Sequence, residues 1–435
     1  MAEIIKIGMA GFGNVGSGTY AVLKRNGEEI ARRAGKKVEV KRIVVRNPER
    51  VVPLVDKGVE ISTNWKDLVE DPEIDVVVEV MGGIEPARSL ILAAIEKGKH
   101  IVTANKALLA EHGNEIFAAA QKAGVNVAFE AAVAGSIPII KALREGLAAN
   151  KVSWVAGIIN GTCNFILSTM RDTGRAFGDV LAEAQRLGYA EADPTFDIEG
   201  IDTAHKTMIL ASIAFGVPVD MGRIHIEGIS KLDAKDIKFA EDLGYRIKLL
   251  GITKMTDYGI EARVHPTLIP ASRLIANVEG AMNSIVVKND AADAQLFYGK
   301  GAGPEPTGSA VIADLVDIAR TADAKSSQRP LMPTLQTTRE NPWADFGDTI
   351  SSYYLRVPVD DKVGVLADIA RIIADNKISI ESFIQREAPY PETRTELIMM
   401  THSAKESNIQ RAIRTIQEHA SVLGPVVLLR KEDLR

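Results

Sequence analysis

Residues 5–19, IKIGMAGFGNVGSGT, run from an apolar stretch of strand length through a glycine turn into a segment that can open a helix. Gly11, Gly13 and Gly16 hold the G-x-G-x-x-G spacing. The three glycines allow, in turn, a tight bend, a close backbone approach to a pyrophosphate, and close packing of helix on strand. A chain that begins this way reads as a buried parallel strand leading into a helix with a dinucleotide at its N-terminus, the alternative being a glycine-rich turn with no ligand. Gly11, Phe12, Gly13, Asn14, Val15 and Gly16 are therefore the expected cofactor-binding turn.

The same grammar continues downstream. VKRIVV (40–45), DVVVEVM (75–81), HIVTAN (100–105) and VNVAFEA (125–131) are of strand length and alternate with helical patterns such as EPARSLILAAIEKGK (85–99). Pro86 marks a helix start, and Gly98 and Gly124 follow helix ends. This predicts an α/β fold with a Rossmann-type parallel sheet over residues 1–135. Residues 136–303 read as a second, α+β domain. The proline-bearing stretch 325–350 reads as a linker, and 351–435 has the order of a ferredoxin-like βαββαβ unit.

At the end of the second strand an NAD enzyme usually offers an acid to the ribose diol, whereas this chain reads VVRNPER (44–50). Arg46, followed by Arg50, suits a 2′-phosphate, so NADP is favoured and NAD stays open. The 52 basic side chains against 57 acidic ones leave a net charge of −5 and no basic block for a nucleic-acid partner. No eighteen-residue apolar run suggests a membrane span, and the N-terminus shows no basic targeting region. The single Cys163 fits a reducing cytoplasm.

GYAEADPTFDIEGIDTAHK (188–206) crowds Glu191, Asp193, Asp197, Glu199 and Asp202 ahead of Lys206. If a helix begins near residue 200, Asp202 and Lys206 are four apart and share a face. Such a pair is either an ordinary solvated salt bridge or an acid–base site. His205 should point away from that face and is no candidate base.

VTANK (102–106), NGTCNFIL (160–167), LGYAEADPTFDIEGIDTAHK (187–206) and GKGAGPEPTGSAV (299–311) together resemble the homoserine dehydrogenases, in the single-activity form with a C-terminal ACT domain. The resemblance implies NAD(P)H-dependent interconversion of L-aspartate 4-semialdehyde and L-homoserine, towards threonine and methionine. It also implies that 304–324 completes the first domain and that 136–303 binds substrate and dimerises. Reducing an aldehyde by hydride leaves a developing alkoxide, which calls for a cation and a proton source, and the substrate ammonium calls for carboxylates. By resemblance Lys206 is the proton donor or acceptor, with Lys106 as a second site lysine touching cofactor or substrate. Glu191 and Asp202 bind the amino acid, with Asp197 in support. Thr103, Gly188 and Gly303 join the cofactor site, and Gly82 and Gly83 suit close approach near the nicotinamide. A monovalent cation, usually sodium in this family, is implied at Glu130, Val133, Gly135 and Ile137. Gly364 matches the strand-to-helix turn at which ACT domains take an effector, here threonine, although Val363 stands where proline is common. A homodimer or homotetramer is expected. Two other readings stay open: a Cys163-dependent semialdehyde dehydrogenase, and a non-catalytic NADP and amino-acid sensor.

Overall fold

The computed structural model describes residues 4–322, 343–385 and 394–435. The N-terminal part runs β1 (Ile4–Ala10), α1 (Asn14–Ala34), β2 (Lys37–Val44), β3 (Glu60–Ser62), α2 (Lys66–Glu70), β4 (Val76–Glu79), α3 (Ala87–Glu96), β5 (His100–Thr103), α4 (Lys106–Ala123), β6 (Val127–Ala128), α5 (Ile139–Lys141) and β7 (Val152–Ile158). The middle supplies α6 (Gly161–Thr173), α7 (Phe177–Arg186), α8 (Thr195–Ile198), α9 (Ile201–Phe215), β8 (His225–Ile226), α10 (Ala234–Asp242), β9 (Tyr245–Thr256), β10 (Gly259–Pro270), β11 (Met282–Asn289), β12 (Ala294–Lys300) and α11 (Pro304–Thr321). The C-terminal part is β13 (Ile350–Asp360), α12 (Val365–Asp375), β14 (Ile380–Gln385), β15 (Arg394–Thr401), β16 (Ala404–Lys405), α13 (Glu406–Gln417) and β17 (Val427–Lys431).

These elements form two compact units: Met1–Gly161 with Asp202–Ile224 and Ala281–Glu340, and Thr162–Ile201 with His225–Gly280 and Asn341–Arg435. The first unit is built on a parallel sheet of order β3-β2-β1-β4-β5-β6. Val76, Val77 and Val78 of β4 have no exposed surface, as expected of a strand covered on both faces. On one face Leu90, Ile91, Ala94 and Ile95 of α3 recur at helical spacing and pack with Leu108 and Ile116 of α4. On the other, Tyr20 and Leu23 of α1 pack with Val311 and Leu315 of α11. The glycine-rich segment near residue 303 thus does lead into a helix that returns to α1. The contact is close enough to need glycine: a Cβ at Gly18 would lie 2.2 Å from the Pro304 carbonyl, and one at Gly308 would lie 2.7 Å from the Thr19 nitrogen. Strand order reverses between β1 and β4, which is where such sheets open a ligand crevice at their C-terminal ends. The unit also carries the antiparallel strands β7, β11 and β12.

In the second unit, β9 and β10 form an antiparallel hairpin of two twelve-residue strands. β17, β13, β15 and β14 lie side by side, all antiparallel, beneath α12 and α13, around Tyr353, Leu355, Ile369, Met399, Ile409 and Ile416. This is the expected ferredoxin-like arrangement. Its last strand also pairs in parallel with β10, Thr267 opposite Arg430 and Leu268 opposite Lys431. Arg430, wholly buried, bridges there between Glu227 and Glu406. Most of the expected linker, residues 325–342, lies outside the described residues; at its end Trp343 is buried and bridges to Ile260. Among the described residues no helix is long and apolar enough to cross a membrane.

Candidate active site

The glycine turn joins β1 to α1, and its three glycines face different surroundings. Gly11 has φ +101°, and a Cβ there would meet the Val80 carbonyl at 2.7 Å. At Gly16 a Cβ would meet the Gly11 carbonyl at 2.5 Å, whereas at Gly13 nothing lies within 4 Å. The turn is therefore tight where the chain must bend and open where a pyrophosphate would come near. α1 begins at Asn14 with no side-chain cap, so its first amides stay available to an anion. Phe12 and Val15 pack against the core below the turn, Phe12 meeting Tyr20 edge-on at 5.8 Å. Arg46 and Arg50 are exposed, and neither has an acidic partner among the described residues.

The acid–lysine pair lies on α9 of the same unit. Both residues are buried, with Asp202 4% and Lys206 9% exposed, which a solvated surface bridge would not be. Lys206 Nζ donates to Asp202 Oδ2 at 2.6 Å and to the Ile159 carbonyl at 2.8 Å. Asn160 Nδ2 donates to the same carboxylate oxygen at 2.9 Å, and Lys106 Nζ stands 3.2 Å from Asp202 Oδ1. One carboxylate thus joins two ammonium groups, one on each oxygen. Lys106 is the first residue of α4, whose N-cap, Asn105, accepts the Leu108 amide. Thr103 is fully buried and gives its hydroxyl to Glu79.

Burial works against the Asp202 charge, but Lys206, Lys106 and Asn160 hold its carboxyl down to about 2. Folded Asp202 therefore binds a proton less readily than an unfolded aspartate. Its contribution, roughly 2 kcal/mol, is present above pH about 4 and is lost as pH falls towards about 2. Thermal melts across that interval should show a shallower pH dependence for Asp202→Asn than for the parent chain; parallel profiles would contradict this.

The other acids of the 188–206 stretch belong to the second unit and are placed differently. Glu191 and Asp193 are exposed, and Asp197 and Glu199 are half-buried. Gly188 has φ +78° and closes α7 as a C-terminal turn. Thr162 donates its hydroxyl to the Tyr189 carbonyl, and the Phe165 ring lies 4.7 Å from that of Tyr189, so α6 holds this loop. Cys163 is wholly buried, with Sγ 3.2 Å from the Asp197 carbonyl. A thiol in that setting is packing, not an accessible nucleophile, which removes the Cys163 mechanism.

Around residue 130, both Glu130 carboxylate oxygens accept backbone amides, from Ile140 and Lys141, each at 2.8 Å. Burial pushes Glu130 up to about 7; burial and then Glu130 push Asp314, which accepts the Glu130 amide, up to about 8. These side chains are committed to the fold. Of the nearby backbone carbonyls, that of Glu130 accepts the Val133 amide at 3.4 Å and that of Ile137 accepts the Ile139 amide at 2.8 Å. Ala134 and Gly135 both have φ +56°, and a Cβ at Gly135 would lie 2.5 Å from the Gly301 carbonyl, so this turn sits against the later glycine loop. Gly303, φ +125°, begins α11. Gly364, φ +95°, opens α12, with Val363 fully exposed before it.

Asn160, the Ile159 carbonyl and Glu79 were not anticipated. A backbone carbonyl leaves no mark in a sequence, but an acid inside VVVEVM does, because a fully buried strand rarely carries one without a purpose.

A dinucleotide turn and a buried lysine–carboxylate cluster in one unit define a pyridine-nucleotide oxidoreductase. The models of the homoserine dehydrogenase domain, its NAD-binding domain and the ACT domain match residues 138–316, 11–130 and 353–420. Homoserine dehydrogenases of Pseudomonas aeruginosa and Neisseria gonorrhoeae are 54% and 50% identical to the chain, each over 99% of both sequences. A solved homoserine dehydrogenase from Thiobacillus denitrificans, 55% identical, superposes with a TM-score of 0.95 over 100% of both chains. A hyperthermophilic archaeal homoserine dehydrogenase in complex with NADPH is 25% identical, with a TM-score of 0.62 over 72% of this chain and 97% of its own. The chain belongs to the homoserine dehydrogenase family, in the form that carries an ACT domain.

Proposed function

We propose that the chain reduces L-aspartate 4-semialdehyde to L-homoserine with NADPH, Lys206 giving the proton, in the threonine and methionine branch of amino-acid synthesis. What carries this reading is the Lys206 ammonium: it is buried, and Asp202 and the Ile159 carbonyl take two of its three protons. The third has no acceptor among the described residues and can serve a substrate oxygen. When bound, NADPH supplies the hydride. As the carbonyl carbon accepts it, the oxygen takes the Lys206 proton and becomes the alcohol; the reverse direction returns that proton. Asp202 keeps the ammonium aimed, and Lys106 on its other oxygen adds positive charge near the developing alkoxide. Glu191 and Asp202 are assigned to the amino acid substrate, with Asp197 in support. Gly11 to Gly16, with Thr103, Gly188 and Gly303, are assigned to the cofactor. The test is NADPH consumption by the purified chain: fast with L-aspartate 4-semialdehyde and slow with an aldehyde lacking the amino acid head. Equal rates with both would contradict it.

NADP preference is assigned to Arg46 with Arg50, since both stand without acids at the end of β2. Removing one charged hydrogen bond to a phosphate costs roughly 1.5–3 kcal/mol, so Arg46→Ala should raise the NADPH KM about tenfold or more and leave that for NADH near its starting value. A rise shared by both cofactors would argue against this role. A sodium ion is assigned to the carbonyls of Glu130, Val133, Gly135 and Ile137. In the ACT domain we assign an amino-acid effector, threonine, to the turn at Gly364; millimolar threonine should lower the rate, and an unchanged rate would remove that assignment. Leu296 and Tyr298, both exposed on β12, support association into a homodimer or homotetramer, and the single buried thiol suits the cytoplasm.

A further inference from the structure

Glu79 ends β4 and has no exposed surface. A carboxylate survives burial only when hydrogen bonds replace its water, and here the donors come from two separate segments. Oε1 accepts the Met81 and Gly82 amides at 3.0 and 3.2 Å, and Oε2 accepts the Thr103 hydroxyl at 2.7 Å. Thr103 Oγ1 in turn accepts the Asn105 amide at 3.0 Å. Asn105 Nδ2 donates to the Gly83 carbonyl at 2.6 Å, and its Oδ1 caps α4 through the Leu108 amide at 3.2 Å.

The chain of contacts has a direction. At one end is the 81–83 turn, where Gly82 and Gly83 take φ of +72° and +76° and whose preceding residue, Val80, closes on Gly11 of the dinucleotide turn. At the other is the N-cap of α4, whose next residue is Lys106, paired with Asp202. β4 and β5 are adjacent parallel strands, so both segments leave the same C-terminal sheet edge, beside the β1–β4 reversal. A single carboxylate therefore fixes the turn facing the dinucleotide crevice and the residue that delivers a site lysine.

We propose that Glu79 is a positioning residue for hydride transfer, setting, through Thr103 and Asn105, where the Lys106 ammonium meets Asp202, and holding the 81–83 turn in place at the cofactor site. This rests on the dehydrogenase reading above. A purely structural Glu79 would hold β4 to β5 and affect melting, but not turnover per folded molecule in a way that depends on Lys106. Gln can keep an acceptor for the two amides and donate to Thr103 Oγ1, so the geometry also predicts rescue by Glu79→Gln.

The experiment compares the parent, Glu79→Ala, Glu79→Gln, Lys106→Ala and the Glu79→Ala/Lys106→Ala pair in homoserine oxidation with NADP, each verified as folded by its thermal melt. Glu79→Ala should lower kcat about tenfold or more, Glu79→Gln should return to within about threefold of the parent, and in the Lys106→Ala background Glu79→Ala should cost less than about threefold. If Glu79→Ala does not fold, Thr103→Val cuts the same link and should show the same dependence on Lys106. A parental kcat in Glu79→Ala, or an equal loss in both backgrounds, would overturn the proposal. An inactive parent chain would instead count against the dehydrogenase reading itself.

Discussion

Lys206→Ala is expected to lower kcat by about a thousandfold or more, while the Kd for NADPH stays within about twofold. The asymmetry follows from the placement of the two functions. The cofactor turn is made by backbone of β1 and α1, whereas Lys206 is a side chain of α9 whose bonded partners are Asp202 and the Ile159 carbonyl. Removing the ammonium takes away the proposed proton source and one of the two cations that neutralise Asp202. The carboxylate keeps Lys106 and Asn160, so the fold should survive. Lys206→Arg should not restore the rate, because a guanidinium holds its proton far more tightly and cannot fit the same two acceptors. Equilibrium binding of NADPH, measured beside steady-state turnover, checks the split; a joint loss of both would mean that Lys206 serves the fold.

The second large effect is one of stability. Arg430→Ala should destabilise the chain by about 3–5 kcal/mol, because it strands the buried Glu406 carboxylate and takes a partner from the half-buried Glu227. Arg430 Nη1 and Nη2 donate to Glu227 at 2.8 and 2.9 Å, while Nε and Nη2 donate to Glu406 at 2.8 and 2.6 Å. Burial opposes the Arg430 charge, yet Glu406 and Glu227 hold the guanidinium firmly protonated. Burial likewise opposes the Glu227 charge, and His225 and Arg430 bring its carboxyl well below the usual range. Tyr353 also donates to Glu406, at 3.1 Å, so the disturbance reaches the core of the ferredoxin-like sheet. Urea denaturation at an unchanged slope gives the loss directly, and a change under about 1 kcal/mol would contradict the account.

The parallel sheet and the C-terminal βαββαβ order were legible because their strands are apolar runs bounded by glycine and proline. So was the pairing of Asp202 with Lys206, since a helical spacing of four fixes it once α9 exists. β10 was not legible. Its interior holds Arg263, His265 and Pro266, which break any apolar pattern, and the first two are wholly buried. What permits this is distant in sequence: Arg263 donates to Glu432 at 2.6 Å and shares a 2.9 Å contact with His265 Nε2. The parallel pairing of β10 with β17 was hidden as well, because Thr267 and Leu268 meet Arg430 and Lys431, far apart in sequence and with no shared apolar pattern. In the site, side chains at fixed spacing could be anticipated. The Ile159 carbonyl and the Glu79 hydrogen bonds could not, since they depend on how separate segments converge. The acids from 188 to 206 looked alike in sequence, yet Asp202 alone is fully buried with two cations, while Glu191 and Asp193 remain at the surface.

The measurement that bears most directly on hydride transfer at this lysine–carboxylate site uses NADPH carrying deuterium at the transferable position. Incubated with L-aspartate 4-semialdehyde and the purified chain, it should yield L-homoserine with deuterium on the carbinol carbon, one product molecule for each NADPH oxidised. Unlabelled homoserine, or NADPH consumed without homoserine, would contradict the account.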